Sequence, residues 1–126
     1  MGYLVDSNVL IDYVAERFEN NQLKALDIMF DDSLKISVIT KIEILGYNGR
    51  SDENVKMTAF ISYASIIDLN ELVVNRTIEL RRSMKIKTPD AIIAATALAY
   101  DLTLITNNVS DFKRVEGLKL FNPYNI

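Results

Sequence analysis

The sequence contains no cysteine and no histidine among its 126 residues. Without cysteine there can be no disulfide framework, no thiolate zinc site and no cysteine nucleophile. Without histidine the chain lacks the usual general base at neutral pH, the Ser-His-Asp triad and the commonest ligand of transition metals. An enzyme of this composition has to use carboxylates, lysine, tyrosine, hydroxyl groups or a bound cofactor. Carboxylates attract hard cations that prefer oxygen ligands, chiefly Mg²⁺ and Mn²⁺.

Glycine and proline are also scarce, with four and two residues, and no long hydrophobic run is present. The longest apolar run, residues 91–100, is interrupted only by Thr96 and has about half of the ~20 residues that a transmembrane helix needs. No basic and then apolar leader opens the sequence, so we expect a cytoplasmic protein. The length and the 49% apolar content predict a single folded domain over residues 1–126.

Strand and helix patterns alternate along the chain. Short runs rich in β-branched residues predict strands at residues 3–5, 34–39, 66–69, 102–106 and 118–121. Apolar periodicity and capping signals predict helices at residues 7–15, 20–30, 40–46, 52–64, 71–84 and 89–100, with Thr88 as a cap and Pro89 in the first turn. This alternation predicts an α/β fold, a three-layer α/β/α sandwich around a mostly parallel sheet of about five strands. Ligands of such folds bind beyond the carboxyl ends of the strands.

Four of the 17 acidic residues fall at this predicted edge of the sheet. Asp6 ends the first strand, and Glu43 lies in the first turn of the helix after the second strand. Asp90 follows Pro89 at the start of a strongly apolar helix, and Asp111 follows the fourth strand. Parallel strands bring their carboxyl ends to one edge, so these four carboxylates are the candidates for a shared catalytic and metal-binding site.

Each carboxylate also has a purely structural explanation. Asp6 can cap a helix or form an Asx-turn, and Glu43 can close a capping box with Thr40. A negative charge at Asp90 suits the helix dipole, and an aspartate in a loop, such as Asp111, is often a turn former. Only their common position at one edge favours a shared site.

Four like charges at one edge repel each other, so one or more pKa values rise unless a cation lies between them. Mg²⁺ or Mn²⁺ would resolve the repulsion, activate water and polarise a phosphoryl oxygen. Phosphodiester hydrolysis is therefore the reaction that suits a site with acids and without histidine. Asn8, Thr106 and Asn108 are candidates to support the site by orienting a ligand or water.

Four stretches of the chain carry a family resemblance: residues 4–12 (LVDSNVLID), 37–46 (SVITKIEILG), 87–97 (KTPDAIIAATA) and 106–112 (TNNVSDF). In this order they resemble the four motifs of PIN domains, and within that family the VapC-type toxin ribonucleases of bacterial and archaeal toxin–antitoxin pairs. No single stretch is specific, but the four together are. Ser7 stands where threonine is frequent in the family, and it keeps the hydroxyl group.

The resemblance implies an activity, a cofactor and partners. It implies endonucleolytic cleavage of RNA with Mg²⁺ or Mn²⁺ held by Asp6, Asp90 and Asp111, while Glu43 completes the site and helps to position water. It also implies a homodimer and a small antitoxin partner of the VapB type. The identity of the RNA target differs among members, so it is not implied.

Three other interpretations remain. A phosphohydrolase of the haloacid dehalogenase type would usually have a second acid where this chain has Asn8, and a later pair of acids where only Asp111 is available. A catalytically inert PIN-like binding module would normally lack one of the acids, and all four are present. An RNA-processing or DNA-cleaving nuclease without an antitoxin would share the chemistry, although a compact domain without further binding modules favours a toxin.

The charge distribution leaves one question open. The formal net charge is −3, which by itself argues against a nucleic-acid partner. Basic residues nevertheless cluster beside two of the candidate acids; they are Arg81, Arg82, Lys85 and Lys87 before Asp90, and Lys113 and Arg114 after Asp111. The sequence is compatible with a phosphate-binding patch and with a solvated surface.

A group of large apolar residues suggests an interaction surface. Tyr13, Phe18, Leu26, Met29 and Phe30 exceed what one core is expected to bury. We therefore expect them to form a dimer or antitoxin surface.

Overall fold

A five-stranded parallel sheet forms the centre of the molecule in the computed structural model, which describes residues 2–47 and 51–126. The strand order is β3-β2-β1-β4-β5, and the four pairings are all parallel. Leu4 is in register with Lys35 on one side and with Leu104 on the other. The strands are β1 (Gly2–Val5), β2 (Lys35–Ser37), β3 (Ser65–Ile67), β4 (Leu102–Ile105) and β5 (Lys119–Phe121).

Helices connect the strands, as the alternating pattern predicts. The six predicted helices are present with ends shifted by up to a few residues, and a short seventh, α7, is one that the pattern did not predict. A final 3₁₀ helix covers Pro123–Asn125. The helices are α1 (Ser7–Val14), α2 (Asn20–Asp32), α3 (Val38–Leu45), α4 (Ser51–Ile61), α5 (Glu71–Ser83), α6 (Thr88–Ala99) and α7 (Val109–Phe112).

The two faces of the sheet are covered by separate apolar cores. Successive side chains of a strand point to opposite faces, so Leu4 and Leu104 join one core while Val5 and Ile105 join the other. The first core is completed by α6 and α7, and the second by α1, α2, α3 and α4. Helix α5 packs on the outer side of α6. The predicted three-layer α/β/α fold is thereby confirmed.

Helix α3 begins earlier than the sequence predicts. Ser37 is its N-cap, and the Ser37 hydroxyl accepts a hydrogen bond from the backbone N–H of Ile39 at 3.2 Å. Thr40 lies inside the first turn and is buried, and its hydroxyl has no hydrogen-bond partner among the described residues. Glu43 is therefore in the second turn. The predicted capping box of Thr40 and Glu43 is wrong, because the helix already has a cap three residues upstream.

Helix α6 also starts one residue earlier than expected. Lys87 is the N-cap residue and makes no side-chain capping bond, whereas Thr88 is the first helical residue. The predicted capping role of Thr88 is wrong. Pro89 lies in the first turn, as predicted, where its missing N–H is not needed for a helical hydrogen bond.

The residues of the predicted interaction surface are buried to different degrees. Leu26 is fully buried, so its predicted place at the surface is wrong. Tyr13, Phe18, Met29 and Phe30 are half-buried against the core that includes α1 and α2, and their role in an interaction surface stays a prediction. The ring centroids of Tyr13 and Phe30 are 4.8 Å apart, an aromatic contact typical of a packed interior. Within the two described ranges, no helix has the length and apolar character needed to cross a membrane.

Candidate active site

Asp6 lies at the junction of β1 and α1 and is buried to 9% exposure. It is the N-cap of α1, and its Oδ1 accepts a hydrogen bond from the backbone N–H of Ser7 at 2.8 Å. Its Oδ2 accepts one from the Thr106 hydroxyl at 2.7 Å. Thr106 directly follows β4, the neighbour of β1 in the sheet, and is fully buried. The ends of two adjacent parallel strands thus hold this carboxylate in one orientation.

Glu43 reaches the same region from α3. The Ser7 hydroxyl donates a hydrogen bond to Glu43 Oε1 at 3.0 Å, so the residue next to Asp6 in the chain contacts the second predicted acid. Glu43 is exposed, whereas Asp6 is buried. An exposed carboxylate beside a buried one remains accessible to water.

Asp111 is linked to Asp6 through Asn108 and Thr106. Asn108 donates from Nδ2 to Asp111 Oδ2 at 3.0 Å, and the backbone N–H of Asn108 donates to the Thr106 hydroxyl at 3.0 Å. The Thr106 hydroxyl therefore accepts from Asn108 and donates to Asp6. This chain of hydrogen bonds joins two of the predicted acids through two of the predicted supporting residues.

Asp90 lies in the first turn of α6 and is partly buried. Burial raises the pKa of the Asp90 carboxyl, and the nearby charges of Asp6 and Asp111 raise this pKa further, while Lys87 opposes the shift. Among the described residues, no donor forms a hydrogen bond to the Asp90 carboxylate. The charges of Asp6 and Asp111 therefore act on Asp90. Of these three acids, Asp90 is the one whose carboxylate has no hydrogen-bond partner among the described residues.

A model of the PIN domain family matches residues 3–118 of this chain. The chain belongs to the PIN-domain family. A Rickettsia felis protein named Ribonuclease VapC2 is 28% identical over 132 residues, which span 97% of this chain and 98% of that protein. The predicted resemblance to PIN domains and to VapC-type proteins is confirmed.

Solved structures that are similar to this PIN fold include toxin–antitoxin complexes. A toxin–antitoxin complex from Klebsiella pneumoniae contains a chain 30% identical to this one, with a TM-score of 0.77 over 99% of this chain and 100% of that chain. VapBC2 from Rickettsia felis, bound to a DNA fragment from its promoter, is 26% identical with a TM-score of 0.82 over 97% of this chain and 98% of the matched chain.

The donor set of this PIN site fits a hard divalent cation in its chemistry. Carboxylates of Asp6, Asp90 and Asp111 are the ligand type that Mg²⁺ and Mn²⁺ prefer, and the raised pKa of Asp90 marks a position where a positive charge is favourable. The acidic side chains lie further apart than the ligands of a bound metal ion do. Within the part of the chain that the structure describes, no three acidic side chains are grouped closely enough to hold one ion.

Asn8 stands apart from the other predicted supporting residues. It is exposed on α1, and its side chain makes no hydrogen bond within residues 2–47 and 51–126. Its backbone carbonyl accepts a hydrogen bond from the Tyr124 hydroxyl at 3.5 Å. A role for the Asn8 side chain stays a prediction.

Two contacts near the site involve residues that the sequence did not single out as functional. Ser7 was noticed only as a substitute for threonine, yet its hydroxyl contacts Glu43. Tyr124 donates a hydrogen bond to Asp12 on α1, and burial together with this bond raises the pKa of Tyr124. A role for the Ser7 hydroxyl could have been predicted from the sequence, because Ser7 lies within the first motif. No signal in the sequence connects Tyr124 with a residue that lies 112 positions away.

Proposed function

We propose that this chain is a divalent-metal-dependent endoribonuclease and the toxin of a VapBC-type toxin–antitoxin pair. The observation that carries the proposal is the hydrogen-bonded link from Asp6 through Thr106 and Asn108 to Asp111 at the carboxyl edge of the parallel sheet. Asp90 lies near enough to both acids for their charges to raise its pKa. The name of the similar Rickettsia felis protein, Ribonuclease VapC2, supports the choice of RNA as substrate.

In this proposal, Asp6, Asp90 and Asp111 hold the metal ion, and Glu43 completes the site. Bound Mg²⁺ or Mn²⁺ supplies an activated water and a Lewis acid for the phosphoryl oxygen. Asp6 retains acceptor capacity for a ligand role, because a carboxylate has about four lone-pair positions and Asp6 uses two in the hydrogen bonds to Ser7 and Thr106.

The polar neighbours position these acids. Thr106 orients Asp6, and Asn108 orients Asp111. Ser7 holds one oxygen of Glu43, and the exposure of that side chain allows the other oxygen to orient the attacking water. The neighbours reduce the rotamer freedom of the acids, which lowers the entropic cost of assembling the site around substrate.

The partners follow from the similar solved structures. These structures are toxin–antitoxin complexes, which supports a small antitoxin of the VapB type for this chain. A homodimer and a cytoplasmic location belong to the proposal only through the resemblance to VapC-type toxins. A cavity of about 520 Å³ between α1, α3 and α4, with a wall of mixed apolar and charged residues, offers a surface for such a partner. Apolar residues of its wall include Ile11, Val14, Ile44, Tyr47 and Met57.

Cleavage of a mixed RNA pool tests the proposal. We expect the wild type to cut RNA with Mg²⁺ or Mn²⁺ and not with a chelator. Asp90→Asn should lower the rate by more than about a hundredfold, because removal of a group that stabilises charge or transfers protons costs at least this much. Asp90 is the best position for this test, because its carboxylate has no hydrogen bond within the described residues whose loss would disturb the fold.

Asp101→Asn is the matched control. Asp101 lies at the opposite end of β4 in a left-handed backbone conformation, with φ of 52°, which asparagine also tolerates. This variant should cut RNA at the wild-type rate. Cleavage that persists in Asp90→Asn, or a wild type that cuts only single-stranded DNA, would contradict the proposal. Expression of the wild type should arrest growth, and Asp90→Asn should relieve the arrest.

A further inference from the structure

A positively charged cavity lies directly beside two of the candidate catalytic acids. It has a volume of about 310 Å³, and Asp90 and Asp111 form part of its wall. The rest of the wall carries four cationic side chains, although the net charge of the whole chain is −3. The other wall residues are Arg81, Lys85, Ile86, Lys87 and Arg114.

The path of the chain from α5 to α6 turns two of these cations toward solvent. Ile86 is buried in the core at 7% exposure, whereas Lys85 and Lys87 on either side of it are exposed. In an extended segment neighbouring side chains point in opposite directions. The buried isoleucine therefore acts as an anchor that keeps both lysines at the surface of the cavity.

Both arginines are held against this segment by its backbone. Arg81 in the last turn of α5 donates from Nη1 to the carbonyl oxygen of Ile86, and Arg114 donates from Nη2 to the carbonyl oxygen of Lys85 at 3.2 Å. A guanidinium group has five N–H donors, so most donors of each arginine remain available. A side chain that is already positioned loses less entropy when it binds a ligand.

None of these four side chains forms a close ion pair within the described residues, although the charge of Lys87 acts on Asp90 from a greater distance. Within the described residues, none of Arg81, Lys85, Lys87 and Arg114 has a carboxylate oxygen within 4.0 Å. Arg17, Arg76 and Lys119, in contrast, are paired with acids elsewhere on the surface. Even with Asp90 and Asp111 counted, the cavity wall carries more cations than carboxylates, and this excess favours an anion from outside the chain.

We infer that this cavity binds a backbone phosphate of single-stranded RNA, adjacent to the phosphodiester that is cut, with Arg81 and Arg114 as the principal donors. The inference rests on the proposed ribonuclease function. Arginine donors match the geometry of a phosphate group, and the two lysines add charge without fixed geometry. Among the described residues, the wall has no aromatic side chain on which a base could stack, so the contact is to the backbone and is independent of sequence.

Binding of a fluorescent single-stranded RNA oligonucleotide to the full chain tests this inference. The dissociation constant is measured by anisotropy at several salt concentrations, in a chelator so that the RNA stays intact. Arg81→Gln and Arg114→Gln should each raise the dissociation constant about tenfold at low salt, since a charge-assisted hydrogen bond of about 1.4 kcal/mol corresponds to this factor. Each should also reduce the slope of log affinity against log salt by about 0.7, the value for one phosphate contact on a single strand.

Two neighbouring basic residues provide matched controls. Arg82 is adjacent to Arg81 on α5, and Lys113 is adjacent to Arg114, but neither lies in the cavity wall. Arg82→Gln and Lys113→Gln remove the same charge and should change the dissociation constant by less than about twofold, because an exposed charge outside the contact acts only through screened attraction. An arginine variant could also disturb the backbone segment that the arginine contacts, and Lys85→Gln avoids this problem. The Lys85 side chain makes no hydrogen bond within the described residues, so Lys85→Gln should weaken RNA binding and leave the melting temperature unchanged.

The outcomes separate this inference from the proposed function. If the wild type cuts RNA with metal but the cavity variants bind like their controls, the inference is overturned and the ribonuclease remains. If the cavity variants weaken binding and the wild type does not cut, the phosphate contact of the cavity stands, its place beside a cleaved bond is overturned, and the ribonuclease proposal fails. Unchanged RNA binding together with weakened binding of an oligoglutamate peptide would assign the cavity to an acidic protein segment instead and overturn the inference.

Discussion

Short polar side chains hold the acids of this site in place. Thr106 contacts Asp6 through its hydroxyl, Asn108 contacts Asp111 through its amide, and Ser7 contacts Glu43. Asp6 is at once a helix cap and a member of the acidic group. The structural explanation and the functional one are therefore compatible for this residue, and substitution of Asp6 tests both together. Asp90 in the first turn of α6 has only its charge at the helix N-terminus as a structural role and accepts no hydrogen bond from the described residues, so its substitution separates the two explanations better.

Asp90→Asn should reduce the fall in the free energy of unfolding that occurs in the wild type as pH rises. The pKa of Asp90 is raised by burial and by the charges of Asp6 and Asp111. The folded chain therefore keeps this proton at pH values where the unfolded chain has released it, and stability falls as pH rises from about 3.9, the usual value for aspartate, through the folded pKa. Urea unfolding in a chelator should show a smaller fall for Asp90→Asn than for the wild type across this window. Asp101→Asn should follow the wild type, and equal falls in all three proteins would contradict the expectation.

At the scale of single elements, the starts of the helices determine how the acids are presented. Because α3 begins at Val38 and not after Thr40, Glu43 lies one turn further into the helix than the sequence predicts. From there its side chain reaches Ser7 at the start of α1. A first-turn Glu43 bonded back to its own cap would have used its carboxylate within α3.

Stability measurements can distinguish the two possible caps of α3. Ser37→Ala should lower the free energy of unfolding by about 1 kcal/mol, the usual effect of losing a side-chain cap. Thr40→Val should leave it unchanged or raise it, because the buried Thr40 hydroxyl has no partner among the described residues and its removal relieves an unsatisfied polar group. Chemical denaturation of both variants provides the comparison. A loss in Thr40→Val without a loss in Ser37→Ala would restore Thr40 as the cap.

At the scale of the whole molecule, the parallel topology assembles the site from distant parts of the chain. β1 and β4 are neighbours in the sheet although about a hundred residues separate them, as the hydrogen bond between Thr106 and Asp6 shows. Parallel neighbours place their carboxyl ends on the same edge, so the residues that follow β1 and β4 meet. Helix α6 brings Asp90 to this edge from the side of the sheet that carries the core with Leu104.

Metal binding should stabilise the whole fold. An ion that binds only the folded chain raises the free energy of unfolding by about 2.7 kcal/mol when its concentration is a hundred times the dissociation constant. We expect Mg²⁺ or Mn²⁺ to raise the melting temperature of the wild type and to raise that of Asp111→Asn less, because one proposed ligand loses its charge. The melting temperature of Asp101→Asn should rise as much as that of the wild type. Equal increases for Asp111→Asn and the wild type would place the ion elsewhere.

The sequence was most informative where local chemistry decides the structure. Alternating strand and helix patterns predicted the five strands and six of the helices, and the acids were predicted from their places beside strand ends. The predicted caps Thr40 and Thr88 were wrong by one to three residues, because several adjacent polar residues can cap a helix and packing selects among them. Leu26 was expected at an interaction surface but is fully buried, because apolar composition does not show how much surface two separate cores can cover.

The sequence by itself therefore determined the class of the fold, the family and the choice of candidate acids, because these depend on periodicity and on short motifs. Tertiary structure alone decided which side chains meet. The contacts from Thr106 to Asp6, from Ser7 to Glu43 and from Arg114 to the carbonyl of Lys85 join residues far apart in the chain. Such contacts depend on the order of the strands and on the way each helix packs on the sheet. A local sequence pattern does not show which distant residues these arrangements bring together.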